Sequence, residues 1–147
     1  MPVQAGTTMF KLAGRTPTDL GVRDGNLAPC PRKANCVSSQ MEADVLGELG
    51  PHHIHPFKYA GSPSDAMTRL LAVLLARPRC RIITQSPLYV HAEFERVFLG
   101  MVDDAEFLVA PAEQLIHVRS ASRIGYLDFG VNRARLEELR EAFDDAD

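Results

Sequence analysis

The sequence predicts a single α+β domain, in which an antiparallel sheet of about five strands carries two helices on one face. The chain has 147 residues, which is enough for one core and too short for two ordinary domains. Two segments carry apolar residues at helical spacing, and four strand-like runs lie between them. Because short links join these runs, consecutive strands are expected to pair in antiparallel fashion.

The amino-terminal part of the chain is predicted to differ from the rest. Residues 1–27 have no sustained periodicity and are rich in turn formers, so we expect an extended arm that lies over the surface. Residues 28–147 form the single domain. Within it, residues 27–40 indicate a compact loop with no helix or strand, and residues 41–51 a second loop.

The first regular elements follow this loop region. A short strand is predicted over residues 54–59, at a sheet edge or bulge because of Pro56. The first helix is capped by Ser62, begins at Pro63 and is stopped by Pro78. Its core-facing stripe consists of Ala66, Leu70, Leu71, Leu74 and Leu75.

Four strands and a helix complete the domain. The strand-like runs cover residues 81–85, 88–99, 105–109 and 115–122. Asn132 is predicted to cap the final helix, with a hydrophobic staple between Val131 and Leu136. The predicted order is therefore β-α-β-β-β-β-α, similar to that of the TATA-binding-protein-like fold, an analogy that transfers no function.

Composition and charge argue against several classes of function. The formal net charge is -3 and basic residues are spread along the chain, which argues against nucleic-acid binding and against anionic membranes. No run approaches the roughly 18 apolar residues of a membrane helix, so no membrane insertion is expected. Residues 1–12 lack the pattern of a secretory signal, which predicts a cytoplasmic protein with reduced cysteines. No cofactor is predicted, and the oligomeric state stays open.

Four polar strings carry a family resemblance. They are the Cys30–Ser39 loop, the string Tyr89-Val90-His91-Ala92-Glu93-Phe94, the string Val102-Asp103-Asp104-Ala105-Glu106-Phe107, and the stretch from Ile116 to Arg133. In these strings the chain resembles the domain of unknown function 1499 family. The resemblance covers most of the chain from about residue 27 onward. It implies no activity, because the family has no agreed one.

Strand alternation predicts a polar constellation on one sheet face. In residues 89–95 the apolar side chains alternate with Tyr89, His91, Glu93 and Glu95; in residues 115–122 they alternate with His117 and Arg119. If the helices cover the apolar face, the polar set lies on an uncovered face. The first interpretation is a solvated surface with cross-strand ion pairs. The alternatives are a ligand patch in which Arg119 binds a carboxylate or phosphate, and acid/base catalysis by His91 with Glu93 or Glu95.

The segment between the last strand and the last helix is the second candidate for a ligand site. Helix N-termini attract anions, and Gly125 and Gly130 allow close approach of the backbone. The alternative is a structural turn in which Asn132 only caps the helix. Under the ligand hypothesis the segment contributes Ser120, Ser122, Arg123, Asn132 and Arg133.

The cysteines and acidic residues allow further hypotheses. The default for Cys30 and Cys36 is a packed loop with free thiols; the alternatives are a disulfide and a zinc site completed from His52, His53 and His55. Cys80 is expected to be a core residue. The acidic residues Asp103, Asp104 and Glu106 are interpreted as a tight turn between strands, since they lack the alternating oxygen donors of a calcium loop.

These patterns favour a non-catalytic binding domain for a small anionic or amphipathic molecule. The first alternative is a hydrolase or isomerase that uses His91 and Glu93. The second is a protein-interaction module that pairs through an exposed strand edge. Catalysis is the less favoured of these hypotheses, because acid/base work requires a pocket that a sequence does not display.

Overall fold

A computed structural model describes residues 11–42, 47 and 50–146. Within these residues the protein has two α-helices and an antiparallel sheet, so the predicted α+β class is confirmed. In chain order the elements are β1 (Val22–Arg23), β2 (Asn26–Leu27), β3 (Cys36–Ser38), β4 (Phe57–Lys58), α1 (Pro63–Leu75), β5 (Cys80–Gln85), β6 (Tyr89–Glu95), β7 (Val102–Ala110), β8 (Leu115–Ser122) and α2 (Val131–Asp145).

The main sheet has six strands rather than about five. Its order is β3-β8-β7-β6-β5, and β4 also pairs with β8, beside β3. The strands β1 and β2 form a separate two-stranded ribbon. In the described part of the chain, four strands therefore precede α1, where the sequence predicted one. The missed strands have only two or three residues each, which is too short for an alternating pattern to be visible.

One face of the sheet packs against both helices and holds the apolar core. Val90, Ala92 and Phe94 point into this core from β6, as their alternation predicted. The ring of Phe57 lies 6.1 Å from that of Phe107 and 5.8 Å from that of Phe143, so aromatic packing joins the sheet to α2. We call this side of the sheet the helix face.

The start of α1 agrees with the sequence, and the start of α2 does not. Ser62 caps α1, because its hydroxyl accepts a hydrogen bond from the backbone N–H of Asp65. In contrast, α2 begins at Val131 after a left-handed Gly130, so the predicted Asn132 cap and the staple are wrong. The carboxylate of Asp128 accepts bonds from the backbone N–H groups of Gly130 and Asn132 instead. Asp128, four residues ahead of Asn132, thus accepts hydrogen bonds from two backbone N–H groups at the start of α2.

The opposite sheet face is covered by the amino-terminal segment, and the prediction of an uncovered face is wrong. Within residues 11–21, the backbone N–H of Leu12 donates to the carbonyl of Leu99, and that of Gly21 donates to Glu106. Glu106 is completely buried, and His91 and Arg119 are only 4% and 2% exposed. The polar side chains of this face therefore lie in an interior.

Candidate functional site

The candidate site is the buried polar side of the sheet, which we call the ionic face. It consists of Tyr89, His91, Glu93, Asp104, Glu106, Arg119 and Arg123. Antiparallel pairing brings these residues together: β6 and β7 place His91 opposite Glu106 and Glu93 opposite Asp104. The next pairing, between β7 and β8, places Glu106 opposite Arg119. Each of these pairs lies on one face because directly paired residues point the same way.

One half of the ionic face is organised around Arg123. Its guanidinium donates to both oxygens of Asp104, at 2.8 and 2.9 Å, and to Glu93 at 2.7 Å. His91 Nε2 lies 2.7 Å from Oδ1 of the same Asp104 carboxylate. Burial alone raises the pKa of Asp104, but the hydrogen bonds from Arg123 and His91 outweigh it and leave the pKa lowered. This half is a complete network of charge-assisted hydrogen bonds.

The other half, around Glu106, is less completely bonded. Glu106 accepts short bonds from the Tyr89 hydroxyl at 2.5 Å and the Gly21 N–H at 2.8 Å. Burial and the neighbouring Glu106 both raise the pKa of Tyr89, so its hydroxyl stays protonated and remains a donor. Arg119 reaches Glu106 only at 3.5 Å and Asp19 at 3.3 Å. Its Nε is buried and has no hydrogen-bond partner in the part of the chain that the structure describes.

A cleft of about 350 Å³ opens beside the ionic face, between residues 15–19, residues 31–35 and the end of β8, and both halves of the network reach it, one through Arg119 and the other through Asp104 and Arg123. Four cationic side chains and two carboxylates line it, namely Arg15, Lys33, Arg119 and Arg123 with Asp19 and Asp104. Because Arg123 and His91 already hold Asp104, the local field in the cleft favours an anion.

A metal ion is less suited to the ionic face than an anion. His91, Glu93 and Asp104 have ligand atoms within 4.8 Å of one another, a spacing that one ion could bridge. Arg123, however, contacts both carboxylates and supplies the positive charge that a metal would bring. A cation would have to displace this guanidinium, which is only 6% exposed.

The remaining predicted site residues lie in three different parts of the structure. His117 lies on the ionic face but contacts Ser39 and Glu113, away from Arg123. Arg133 donates to the carbonyl of Pro51. Ser120, Ser122 and Asn132 lie on the helix face, where the Asn132 side chain bonds both serines. The loop before α2 therefore does not assemble with the ionic face as one site.

The sequence did not predict two central residues of the site. Asp104 and Glu106 were interpreted as part of a tight acidic turn, yet they lie inside β7 and are buried. The neighbouring Asp103 points to the helix face, where it accepts bonds from Arg96 and Arg135. The overlooked signal is the alternation of Asp104 and Glu106 with Ala105 and Phe107, which continues the strand pattern.

The cysteine predictions are corrected by a disulfide. Cys30 and Cys36 are joined, with Cα atoms 5.6 Å apart, so free thiols and a zinc site with His52, His53 and His55 are both wrong. The rings of His53 and His55 contact each other instead. Cys80 packs against the core without full burial, and this burial raises the pKa of its thiol to about 11.

The fold and site together define an α+β domain with a charged network buried between its sheet and an amino-terminal cover. Residues 26–143 match the family described as protein of unknown function (DUF1499). This match covers most of the chain, and the protein belongs to that family, as the sequence resemblance predicted. No curated protein sequence matches the chain. Among the helices that the structure describes, none is long and apolar enough to cross a bilayer.

Proposed function

We propose that this protein is a non-catalytic binding domain for a small anion that carries a carboxylate or a phosphate. The ligand enters the cleft beside the ionic face and is held by Arg119, with Arg15 and Lys33 at its rim. One observation carries the proposal: Arg119 is buried, and among the described residues its Nε has no partner and its hydrogen bonds are all 3.3 Å or longer.

The chemistry of a buried guanidinium supports this assignment. An ionised group in a protein interior is costly unless short hydrogen bonds replace its hydration. Arg123 meets this requirement with contacts of 2.7 to 2.9 Å, and Arg119 does not. A carboxylate or phosphate accepts two parallel N–H bonds from a guanidinium, and thereby supplies what Arg119 lacks. An amphipathic ligand with such a group fits the same argument.

Catalysis by His91 and Glu93 receives less support from the same geometry. Burial raises the pKa of Glu93, but hydrogen bonds from Arg123 and Arg81 prevail and lower it, which makes the carboxylate a weak base. His91 is held by Asp104 and does not line the cleft beside Arg119. We therefore keep the hydrolase or isomerase hypothesis, and the strand-edge interaction module, as alternatives that no contact favours.

The disulfide bears on where this function takes place. Cytosolic thiols are kept reduced, whereas a structural disulfide persists in an oxidising compartment. The Cys30–Cys36 bond therefore supports an oxidising compartment for the proposed function, in place of the cytoplasm that the sequence predicted. Nucleic acid remains outside the proposal, because the cleft is narrow and its cations are few.

Thermal unfolding in the presence of anions tests the proposal. Phosphate, acetate and citrate are compared with chloride at constant ionic strength. A ligand at about one hundred times its Kd stabilises the folded state by about 2.7 kcal/mol, which raises the melting temperature. Arg119→Lys keeps the charge and removes the guanidinium fork, so we expect about tenfold weaker binding by titration calorimetry.

The matched control uses two exposed cations. Arg15→Ala removes a charge at the rim of the cleft, and Lys58→Ala removes one from β4, away from the cleft. We expect only Arg15→Ala to weaken the ligand-induced rise in melting temperature. Equal melting in every anion, or equal losses in the two variants, contradicts an anion site in this cleft.

A further inference from the structure

One end of the sheet gathers several connecting segments, and we call it the loop end. The pairs Cys80 with Phe94, Glu95 with Val102 and Asp103 with Ser122 place residues 76–79, 96–101 and 123–130 at this same end. Residues 11–15 and 31–34 join them: Leu12 N–H donates to the carbonyl of Leu99, and Ala34 bridges to Leu127.

The loop end exposes large apolar side chains. Leu12, in residues 11–15, is 37% accessible, and half of the exposed large hydrophobic residues that the structure describes lie in the connecting loops of this end, with Val97 74%, Phe98 71%, Tyr126 75%, Leu127 56% and Phe129 88% accessible. They occupy two separate loop tips, one between β6 and β7 and one between β8 and α2. Clustered apolar exposure of this kind marks a surface that meets another phase or partner.

The backbone holds these tips in a costly conformation. Leu99 and Phe129 have φ angles of 57° and 53°, and Arg79 has one of 54° in the adjoining segment. Bulky residues rarely adopt left-handed φ, because the side chain crowds the backbone. Each of the three connections between main elements at the loop end thus contains one such residue.

The charges of the loop end differ in sign from those of the whole chain. Its five segments contain eight cations, of which Lys11, Arg96 and Arg123 pair with acids of the adjoining strands. The other five are Arg15, Arg32, Lys33, Arg77 and Arg79, whereas the one acid of these segments, Asp128, is 7% exposed and hydrogen-bonded within the loop. Lys33 lies 4.9 Å from the centre of the Tyr126 ring. Acidic residues collect at the opposite end, where α2 finishes with Glu141, Asp144 and Asp145. Although the net charge of the whole chain is -3, the loop end is therefore basic and apolar.

We propose that the loop end docks on the surface of an anionic lipid bilayer, as a peripheral contact without insertion of a helix. Aromatic and aliphatic tips enter the headgroup region, while lysine and arginine meet the lipid charge. Two separate tips at one end of the sheet, with the cations of the same segments, suit a planar interface better than a single groove-filling partner. The proposal does not rest on the anion-binding function, although Arg15 and Lys33 also lie at the rim of that cleft.

Co-sedimentation of the 147-residue chain with lipid vesicles tests the proposal. Vesicles of phosphatidylcholine alone are compared with equal parts of phosphatidylcholine and phosphatidylglycerol, at low and high salt. We expect binding to the anionic vesicles that weakens with salt. Phe129→Asn suits the left-handed backbone and removes the most exposed ring, so partitioning falls about tenfold.

The same charge reversal at the loop end and at the opposite end of the sheet separates the two surfaces. Lys33→Glu is expected to weaken partitioning on the order of thirtyfold, because one attraction becomes a repulsion. Lys58→Glu makes the same charge change on β4 at the other end and leaves binding unchanged, as does Leu88→Asn in the β5–β6 turn. A wild-type chain that stays in the supernatant with anionic vesicles overturns the proposal, as do equal losses in the Lys33 and Lys58 variants.

Discussion

The two faces of β7 are both buried, but they are buried by different physics. Phe107 points to the helix face and Glu106 to the ionic face, and both are 0% exposed. Burial of a phenyl ring contributes about 1.5–3 kcal/mol through the apolar area it removes from water. Glu106 gains nothing from burial itself and depends on the donors around it, among them Tyr89 and Gly21.

This difference shows why the two faces respond differently to mutation. A truncated apolar side chain leaves a cavity, whose cost depends on how far its neighbours relax. A truncated member of an ion pair leaves its partner buried and charged, and that cost cannot be relieved by small shifts. The ionic face is therefore expected to be sensitive to single substitutions although its pairs add little net stability.

The largest effect is expected from Asp104→Asn. This change leaves Arg123 and His91 without their shared carboxylate, and we expect the free energy of unfolding to fall by about 3–5 kcal/mol. Urea denaturation followed by circular dichroism measures it. The control is Glu113→Gln, whose carboxylate is exposed and pairs only with His117, with an expected change below about 1 kcal/mol. Similar losses in both variants would remove the distinction between the faces.

The second effect is acid destabilisation. The folded-state pKa values of Asp104, Glu93 and Asp128 are lowered, so their contribution is present above the unfolded pKa values, at about 4, and is lost as the pH falls through the folded ones. We expect the melting temperature to decline below about pH 4. Calorimetry across this range measures it, and Asp104→Asn should show a shallower decline. A melting temperature that stays level in acid contradicts the assigned pKa directions.

The third effect concerns the loop that joins the amino-terminal segment to the sheet. Cys30→Ser opens a small disulfide-closed loop, and the loop-closure estimate gives a loss of about 2 kcal/mol. Reductant should lower the stability of the wild-type chain by a similar amount and leave the variant unchanged. Chemical denaturation with and without reductant measures both values. A variant that still responds to reductant would show that another group is being reduced.

The smallest change in the free energy of unfolding is expected at the start of α1. Ser62→Ala removes the hydroxyl that accepts the Asp65 N–H at the start of α1, which costs about 1 kcal/mol. Ser64→Ala is the control, because Ser64 lies in the same exposed first turn without capping it, and its expected change is within about 0.5 kcal/mol. Denaturation midpoints compare the two. Equal shifts would assign the effect to helix propensity rather than to the cap.

The sequence predicted the helix face well because that face is organised by local periodicity. The stripe of α1 and the alternation of Val90 with Ala92 are visible in short windows. One member of the predicted stripe is wrong, because Leu75 is 70% exposed at the end of the helix. The cap at Ser62 is equally local. In contrast, the first turn of α2 depends on the carboxylate of Asp128, which lies three residues ahead of the helix. A capping side chain is expected directly before the first helical residue, so the sequence did not indicate Asp128.

The ionic face was predicted only in part, because its closure depends on distant segments. Alternation in β6 and β8 correctly grouped His91, Glu93 and Arg119 on one side. The burial of that side depends on residues 11–21, and the Gly21 to Glu106 bond spans 85 positions of the chain. A backbone donor from a turn has no residue-type signature. The sequence could therefore indicate the polar group but not the interior around it.

The pairing of β8 has a consequence for the order in which the molecule assembles. The meander from α1 to α2 is built from neighbours in the chain, whereas β3 and β4 reach β8 across long sequence separations. During synthesis the first third of the polypeptide leaves the ribosome well before its docking strand exists. We therefore expect β3 and β4 to stay unpaired until β8 has formed, so that closure of the interior is a late step of folding.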